Sequence, residues 1–238
     1  MSAFSTDTPT MGGLVDFDAN LLHKDLRGDM AHHVEQARTH ANIQWFVVPG
    51  STLADSAEAL ALTLGSEEAG LRRGSVIATA GVHPYNAAAP EHAHPQGVSL
   101  LRELISSNRT ACRAVGECGL DYSEGFPASE LQLPWFRSQV ALALELNLPL
   151  FLHVRHARED FTAVLREAGF PEQGPPPVPC VVHCFTGEAD ELRQYVEMGF
   201  HIGLTGYATS RPSVAPAAEG QSAEPAEDPH ATLRHWLS

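Results

Sequence analysis

The chain has 238 residues, a formal net charge of −14 at pH 7, 43% hydrophobic residues and 18% charged residues. That length and apolar content support one sizeable core, which excludes a mini-domain and a chain disordered throughout. The acidic balance argues against a surface that wraps nucleic-acid backbone, but leaves room for an enzyme that meets phosphate through bound cations.

Apolar runs of strand length alternate with helix-patterned segments along the chain. "GLVDFDA" precedes a polar helical stretch from about Lys24 to His40, and "IQWFVVPG" precedes a helix near Ala54 to Leu64. "SVIATAGVHP" leads through a loop to "SLLRELISS". "CRAVGECGLD" is followed by a long helix from about Ser129 to Leu146, and "LPLFLHVR" by "AREDFTAVLREAG". "PCVVHCFTG" is followed by "ADELRQYVEMG", and "FHIGLTGY" comes last. These are seven β-then-α units whose strands read as continuous apolar runs, the pattern of parallel strands covered on both faces. A doubly wound sheet and a TIM-type (β/α)₈ barrel both fit. The barrel is favoured because nearly every strand ends in a polar residue, and a barrel collects groups from many strand ends. The whole of 1–238 reads as a single barrel domain with a core over 14–207. Residues 212–228, "PSVAPAAEGQSAEPAED", read as a flexible acidic insertion. A helical segment, "PHATLRHWLS", follows, and no eighth strand comes after it.

Several chemistries are excluded at this point. Lys24 is the sole lysine, and no G-x-x-x-x-G-K-[ST] loop is present, so no lysine cradles phosphate. Schiff-base chemistry is left with that one poorly placed candidate, and the absence of G-x-S-x-G disfavours a serine hydrolase. Cys112, Cys118, Cys180 and Cys184 have no C-x-x-C spacing and lie in apolar runs, as expected of buried reduced thiols in an intracellular protein. The opening "MSAFSTDTPTMGG" has no basic start or apolar h-region, and no apolar stretch reaches the ~20 residues of a membrane span. A cytoplasmic or nuclear location without a signal peptide is expected.

The strand ends carry the chemistry. The first gives Asp16, Asp18 and Asn20, which a strand's period of two would place on one face. The third gives His83, the fourth Glu117, the fifth His153 and Arg155, and the sixth His183. Carboxylates and imidazoles converging on one mouth suit a divalent cation, which lowers the pKa of water and holds phosphoryl oxygens. In "CVVHCF", strand parity points His183 away from Cys180 and Cys184, against a Cys/His zinc site. Each residue also has an ordinary structural reading. A lone His after an apolar run is more often a satisfied core or surface residue, and His32, His33, His40, His92 and His94 are read that way. Glu117 fits a cap or ion pair, and Asp16 fits a loop-holding acceptor of backbone N–H groups. The case rests on the number of strand ends involved.

"GVHP", "GECGLDY", "LPLFLHVR", "VVHCFTG" and "GLTGY" occur in this order, and with them the chain resembles the TatD family of metal-dependent deoxyribonucleases from about Leu14 to Tyr207. The resemblance implies a barrel of the amidohydrolase-like group and metal-dependent hydrolysis of DNA phosphodiesters, by 3′→5′ exonuclease action on single strands or 3′ ends. It implies one or two divalent ions, Mg²⁺ first, with Zn²⁺ or Mn²⁺ as alternatives. It assigns Glu117 as the metal-bridging carboxylate, with His153 and His183 as ligands and Asp16 and Asp18 as first-strand carboxylates. His83 and Arg155 then serve catalysis and substrate phosphate, while Asn20 and Asp121 serve substrate binding and positioning. Two departures stand out. The family's first-strand D-x-H-x-H is Asp16, Phe17, Asp18, Ala19, Asn20 here, and its eighth-strand E-T-D does not occur. The expectation is a fragment or truncated product with impaired activity and self-association through an open barrel edge. The rival readings are a metal-dependent hydrolase of a small ester, lactone or amide, and an inactive binding form. Glu117 on the fourth strand, with Lys24 unable to serve as a carbamylated bridge, favours the nuclease branch over the first.

Overall fold

The computed structural model describes residues 12–89 and 93–206. His92, Tyr207, the acidic stretch 212–228 and the helical run 229–238 lie outside the described residues. The strands are β1 (Leu14–Asp16), β2 (Ile43–Val48), β3 (Val76–Ala80), β4 (Cys112–Asp121), β5 (Leu150–Arg155), β6 (Cys180–Val182) and β7 (His201–Ile202). Every neighbouring pair is parallel, and the strands follow one another in chain order. A doubly wound sheet would reverse its order at a switch point. Of the two architectures the sequence allows, the barrel-type wall is the one found.

The helices are α1 (Lys24–Arg27), α2 (Met30–Ala41), α3 (Leu53–Leu62), α4 (Gln96–Ser107), α5 (Ser129–Leu146), α6 (Arg158–Glu167) and α7 (Ala189–Glu197). Local chemistry sets their ends. The Thr52 hydroxyl caps α3 by accepting the Asp55 N–H at 2.9 Å. Asn42 and Asn147 take left-handed φ values of 53° and 49° and stop α2 and α5, each just before a strand. The single helix expected over Lys24–His40 is two, because the chain leaves helical geometry at Asp29 after Gly28, a poor helix former.

The main core lies between the sheet and its helices. Leu101 and Ile105 of α4, Phe136 of α5, Phe161 and Leu165 of α6 and Tyr195 of α7 are fully buried there. Phe136 and Phe161 stack with centroids 5.0 Å apart, tying α5 to α6. Val47, Ala114 and Phe151 form a second cluster on the other face. They line a cavity of about 640 Å³ that runs from Phe17 beside β1 to Ile202 of β7. Groups from opposite ends of the sheet share this space because the sheet curls as a barrel wall does. Among the described residues no helix is long and apolar enough to cross a membrane.

Candidate metal centre

The site is built at the C-terminal ends of β3 to β6, the mouth where a βα barrel collects its chemistry. Glu117 lies within β4 and His153 within β5, His183 directly follows β6, and His83 comes three residues after the end of β3 at Ala80. The Glu117 N–H donates to the Gly50 carbonyl at 2.9 Å, which fixes the carboxylate's backbone against the loop after β2. Gly81 lets β3 approach: a Cβ there would stand 2.6 Å from the Gly116 backbone, so any side chain would displace the strand carrying Glu117.

One oxygen organises the cluster. Glu117 Oε1 lies 2.6 Å from His183 Nε2, 3.1 Å from His83 Nε2 and 3.2 Å from His153 Nδ1. All four side chains are largely buried. Burial opposes charge on Glu117, but the imidazoles of His183, His83 and His153 outweigh it and hold the carboxyl well below the ordinary carboxylate range. Burial likewise opposes charge on the histidines. Glu117 and Asp18 lift His183 well above the ordinary imidazole range, and Asp121 and Glu117 lift His153.

The hydrogen bonds assign the ring protons. His153 Nε2 is 2.8 Å from Asp121 Oδ2, and an ionised carboxylate only accepts, so Nε2 carries the hydrogen. The Asp121 carboxyl falls to about 2: burial raises it, but the bonds from His153 and Ser123 prevail. In neutral His153 the Nδ1 lone pair then faces a Glu117 lone pair at 3.2 Å. His183 repeats the arrangement, with Nδ1 donating to Asp18 Oδ2 at 2.9 Å and Nε2 facing Glu117 at 2.6 Å. Lone pairs set face to face require a cation between them. A proton serves until the pH rises through the raised values of the two rings, and a divalent ion competes for the same place. This donor set, two imidazoles oriented by carboxylates and one shared carboxylate, fits a divalent metal.

His83 differs. His83, Glu117 and His153 offer ligand atoms within 4.8 Å of one another, so by distance His83 belongs to the cluster. Its Nδ1, however, accepts the Tyr85 N–H at 3.0 Å. The hydrogen of neutral His83 therefore sits on Nε2, which makes it a donor towards the site rather than a lone-pair ligand.

The first-strand residues part company. β1 ends at Asp16, so the period of two that was to align Asp16, Asp18 and Asn20 does not extend past it. Asp16 Oδ1 accepts the Asp18 N–H at 3.1 Å, the loop-holding arrangement, and burial raises the Asp16 carboxyl with a further push from Asp18. That turn delivers Asp18 to His183. The Asn20 side chain is exposed and makes no hydrogen bond with the cluster. Asp121 is fully buried behind His153, not on a surface open to substrate. Arg155 lies beside Asp121 in register, is half-buried and makes no ion pair among the described residues. β6 stops at Val182 and Cys184 has a left-handed φ of 44°, so strand parity does not reach Cys184; its thiol meets Thr205 instead.

Two residues escape a reading of strand ends. Gln132 and Gln139 of α5 are fully buried. Gln132 accepts the Asp121 N–H at 2.8 Å and donates to the Asp121 carbonyl at 2.7 Å. Gln139 accepts the Val82 N–H at 2.8 Å and donates to the Val82 carbonyl at 3.0 Å. Each thus closes a two-bond clamp on the backbone that presents Asp121 or His83. The signal in the sequence is two amides seven residues apart, one helical stripe, within a segment that is otherwise apolar on that face.

Comparison with known proteins agrees with this geometry. The family model described as TatD related DNase matches residues 15–224. A curated relative from Edwardsiella piscicida, named 3′-5′ ssDNA/RNA exonuclease TatD, is 36% identical over 194 residues, covering 82% of this chain and 68% of that protein. A relative of the same name from Pantoea vagans is also 36% identical, with the same coverage. Among solved structures, a hydrolase TatD family protein from Entamoeba histolytica superposes with a TM-score of 0.69 at 26% identity, over 82% of this chain and 65% of its own. YJJV, a TatD homolog from Escherichia coli, gives a TM-score of 0.68 at 24% identity over 83% of this chain and 70% of its own, a likeness of fold. The chain thus spans about two thirds of the length of these relatives. A match over most of the chain, on a barrel-type wall with a carboxylate–imidazole cluster at its mouth, identifies it: this protein belongs to the TatD-related DNase family of metal-dependent nucleases.

Proposed function

We propose that this chain removes nucleotides from the 3′ end of single-stranded DNA, with Mg²⁺ as the working ion. The observation that carries the reading is the single Glu117 oxygen facing the imidazoles of His183, His83 and His153 at 2.6, 3.1 and 3.2 Å, in a chain of this family. The polarity and strand preference are those in the names of its relatives.

Glu117, His153 and His183 are the residues that would hold the ion, with Asp18 orienting His183 and Asp16 shaping the turn that carries Asp18. A bound divalent ion supplies Lewis acidity, lowering the pKa of water and offsetting phosphate charge. The protein's own groups do the rest. Asp121 holds the hydrogen of His153 on Nε2, so the ring meets the centre through Nδ1. His83 Nε2–H is a donor at the mouth, suited to a non-bridging phosphate oxygen. The planar fork of Arg155, unpaired among the described residues, suits the same phosphate or its neighbour. Asn20, which is exposed, is assigned to the strand further out. Hydrolysis adds water to phosphorus and breaks the bond to the leaving sugar oxygen.

The test is Mg²⁺-dependent release of nucleotides from 3′-labelled single-stranded DNA by this chain and by Glu117→Gln. The reading predicts release by the unaltered chain and loss of nearly all of it in the variant. Equal release by both would remove Glu117 from the chemistry. No release from DNA, with metal-dependent cleavage of small esters, would replace nuclease with small-molecule hydrolase.

A further inference from the structure

The structure assigns a nucleobase-stacking subsite to Tyr85 and Phe126, immediately beside the metal centre. The inference rests on the nuclease reading and specifies which part of the nucleotide the chain grips other than its phosphate.

Tyr85 is 61% exposed and sits in the 3₁₀ turn Pro84–Asn86, directly after His83. Phe126 comes from the loop between β4 and α5. The two rings meet edge to face, with centroids 5.3 Å apart and planes at 77°. Phe126 in turn lies 6.3 Å from the His83 ring, and His83 Nε2 is 3.1 Å from Glu117 Oε1. Carboxylate, imidazole, phenyl and phenol are therefore four groups joined by three successive contacts leading outward from the centre. The pair spans adjacent βα loops, where a barrel places its substrate contacts.

An exposed aromatic taken singly is ordinary. This one is held as a platform. The Tyr85 N–H is committed to His83 Nδ1 at 3.0 Å, which ties the backbone that carries the ring to the donor that faces phosphate. Phe126 props one side of the Tyr85 ring at 77°, leaving the rest of that ring exposed. No hydrogen bond engages the Tyr85 hydroxyl among the described residues, whereas half-buried Tyr122 donates to Asp160 at 2.6 Å. The other large exposed aromatic among the described residues, Phe17, borders the apolar cavity inside the sheet and stacks on Phe151 at 5.9 Å, so its exposure belongs to the barrel interior. Tyr85 is not among the residues that line that cavity.

Every base offers a π-face, so stacking grips a single strand without reading its sequence. A base paired within a duplex has no free face, so the same platform discriminates against duplex ends. It also supplies affinity without basic residues, which accords with a net charge of −14.

The experiment compares two single-stranded DNAs that differ only at the 3′ end, one with a terminal base and one abasic, as binding partners and as substrates in Mg²⁺. It is run on this chain, Tyr85→Ala and Tyr85→Phe. The unaltered chain is expected to bind the base-bearing end roughly 5- to 100-fold more tightly. Tyr85→Ala should bring that ratio close to one through KM, and Tyr85→Phe, which keeps the ring, should retain it. A 2-aminopurine at the terminal position should lose fluorescence on binding the unaltered chain and not on binding Tyr85→Ala. A base-to-abasic ratio that Tyr85→Ala leaves intact, in a chain that still digests DNA, overturns the subsite and spares the nuclease reading. Failure of the unaltered chain to bind or cleave either DNA overturns both.

Discussion

Asp121 Oδ2 stands 2.8 Å from His153 Nε2, on the far side of the imidazole from Glu117. Its other oxygen accepts the Ser123 N–H at 2.9 Å, so both carboxylate oxygens are committed. An amide in its place would keep one acceptor for Ser123 and turn an NH₂ group towards His153. The ring would then have to accept at Nε2 and carry its hydrogen on Nδ1, pointing at Glu117. Asp121→Asn is therefore expected to weaken divalent-metal binding by roughly 10- to 100-fold while leaving the fold intact. Isothermal titration with Mn²⁺ and circular dichroism on both chains check it, and unchanged affinity would mean that Asp121 only shapes the loop.

The same protons predict an unusual pH dependence. His153 and His183 are raised above their ordinary 6.5, so their contribution to stability is full below that value and lost as pH rises through the folded values. Glu117 is lowered from 4.5, so its contribution is full above that value and lost as pH falls further. The metal-free chain should thus be most stable between these limits and should melt at a lower temperature at pH 9 than at pH 6. A divalent ion binds the deprotonated rings, so its stabilisation should grow over the same interval. Thermal scans with chelator and with excess metal decide this. A chelated chain indifferent to pH across that range would show that the two rings are not charged in its folded form.

The sequence makes the wall and the strand-end groups legible because both follow from short-range rules. Parallel strands buried on two faces are apolar runs, and a charged residue ending such a run has few reasons to be there. Glu117, His153 and His183 were readable in that way. The turn after Asp16 was not, because D-F-D-A-N alternates as a strand would, and only the Asp18 N–H returning to Asp16 shows where extension stops. Nor could a spacing rule distinguish His83 from the other imidazoles, since its role depends on which ring nitrogen a backbone N–H occupies. The clamps on Val82 and Asp121 join α5 to backbone 57 and 11 residues away, and the two glutamines on its apolar face do not by themselves say which backbone they hold.

Gln139 offers a direct measure of what such a clamp contributes. Gln139→Leu keeps a similar volume in the core but leaves the Val82 N–H and C=O without their side-chain partner. Each orphaned buried group costs about 1–3 kcal/mol, so the denaturation midpoint should fall clearly. His83 follows Val82 directly, so kcat should fall as well under conditions where the variant is still folded. A variant with lower stability and unchanged kcat would confine Gln139 to a structural role.

The four thiols separate a metal held by carboxylate and imidazole from one held by cysteine. Cys112, Cys118 and Cys180 are buried, and burial pushes Cys112 up to about 11, Cys180 up to about 12 and Cys118 higher still. Such thiols are neither nucleophiles nor ready ligands near neutrality. Cys184 alone is partly exposed, with its sulfur 3.4 Å from the Thr205 hydroxyl. A thiol reagent such as dithionitrobenzoate at pH 7.5 should therefore modify one cysteine rapidly in the folded chain and all four in denaturant. Because none of these sulfurs belongs to the cluster around Glu117, chelator should leave the native count at one. A count that rises on chelation, without unfolding, would mean that cysteine holds the metal and would displace the site argued from Glu117.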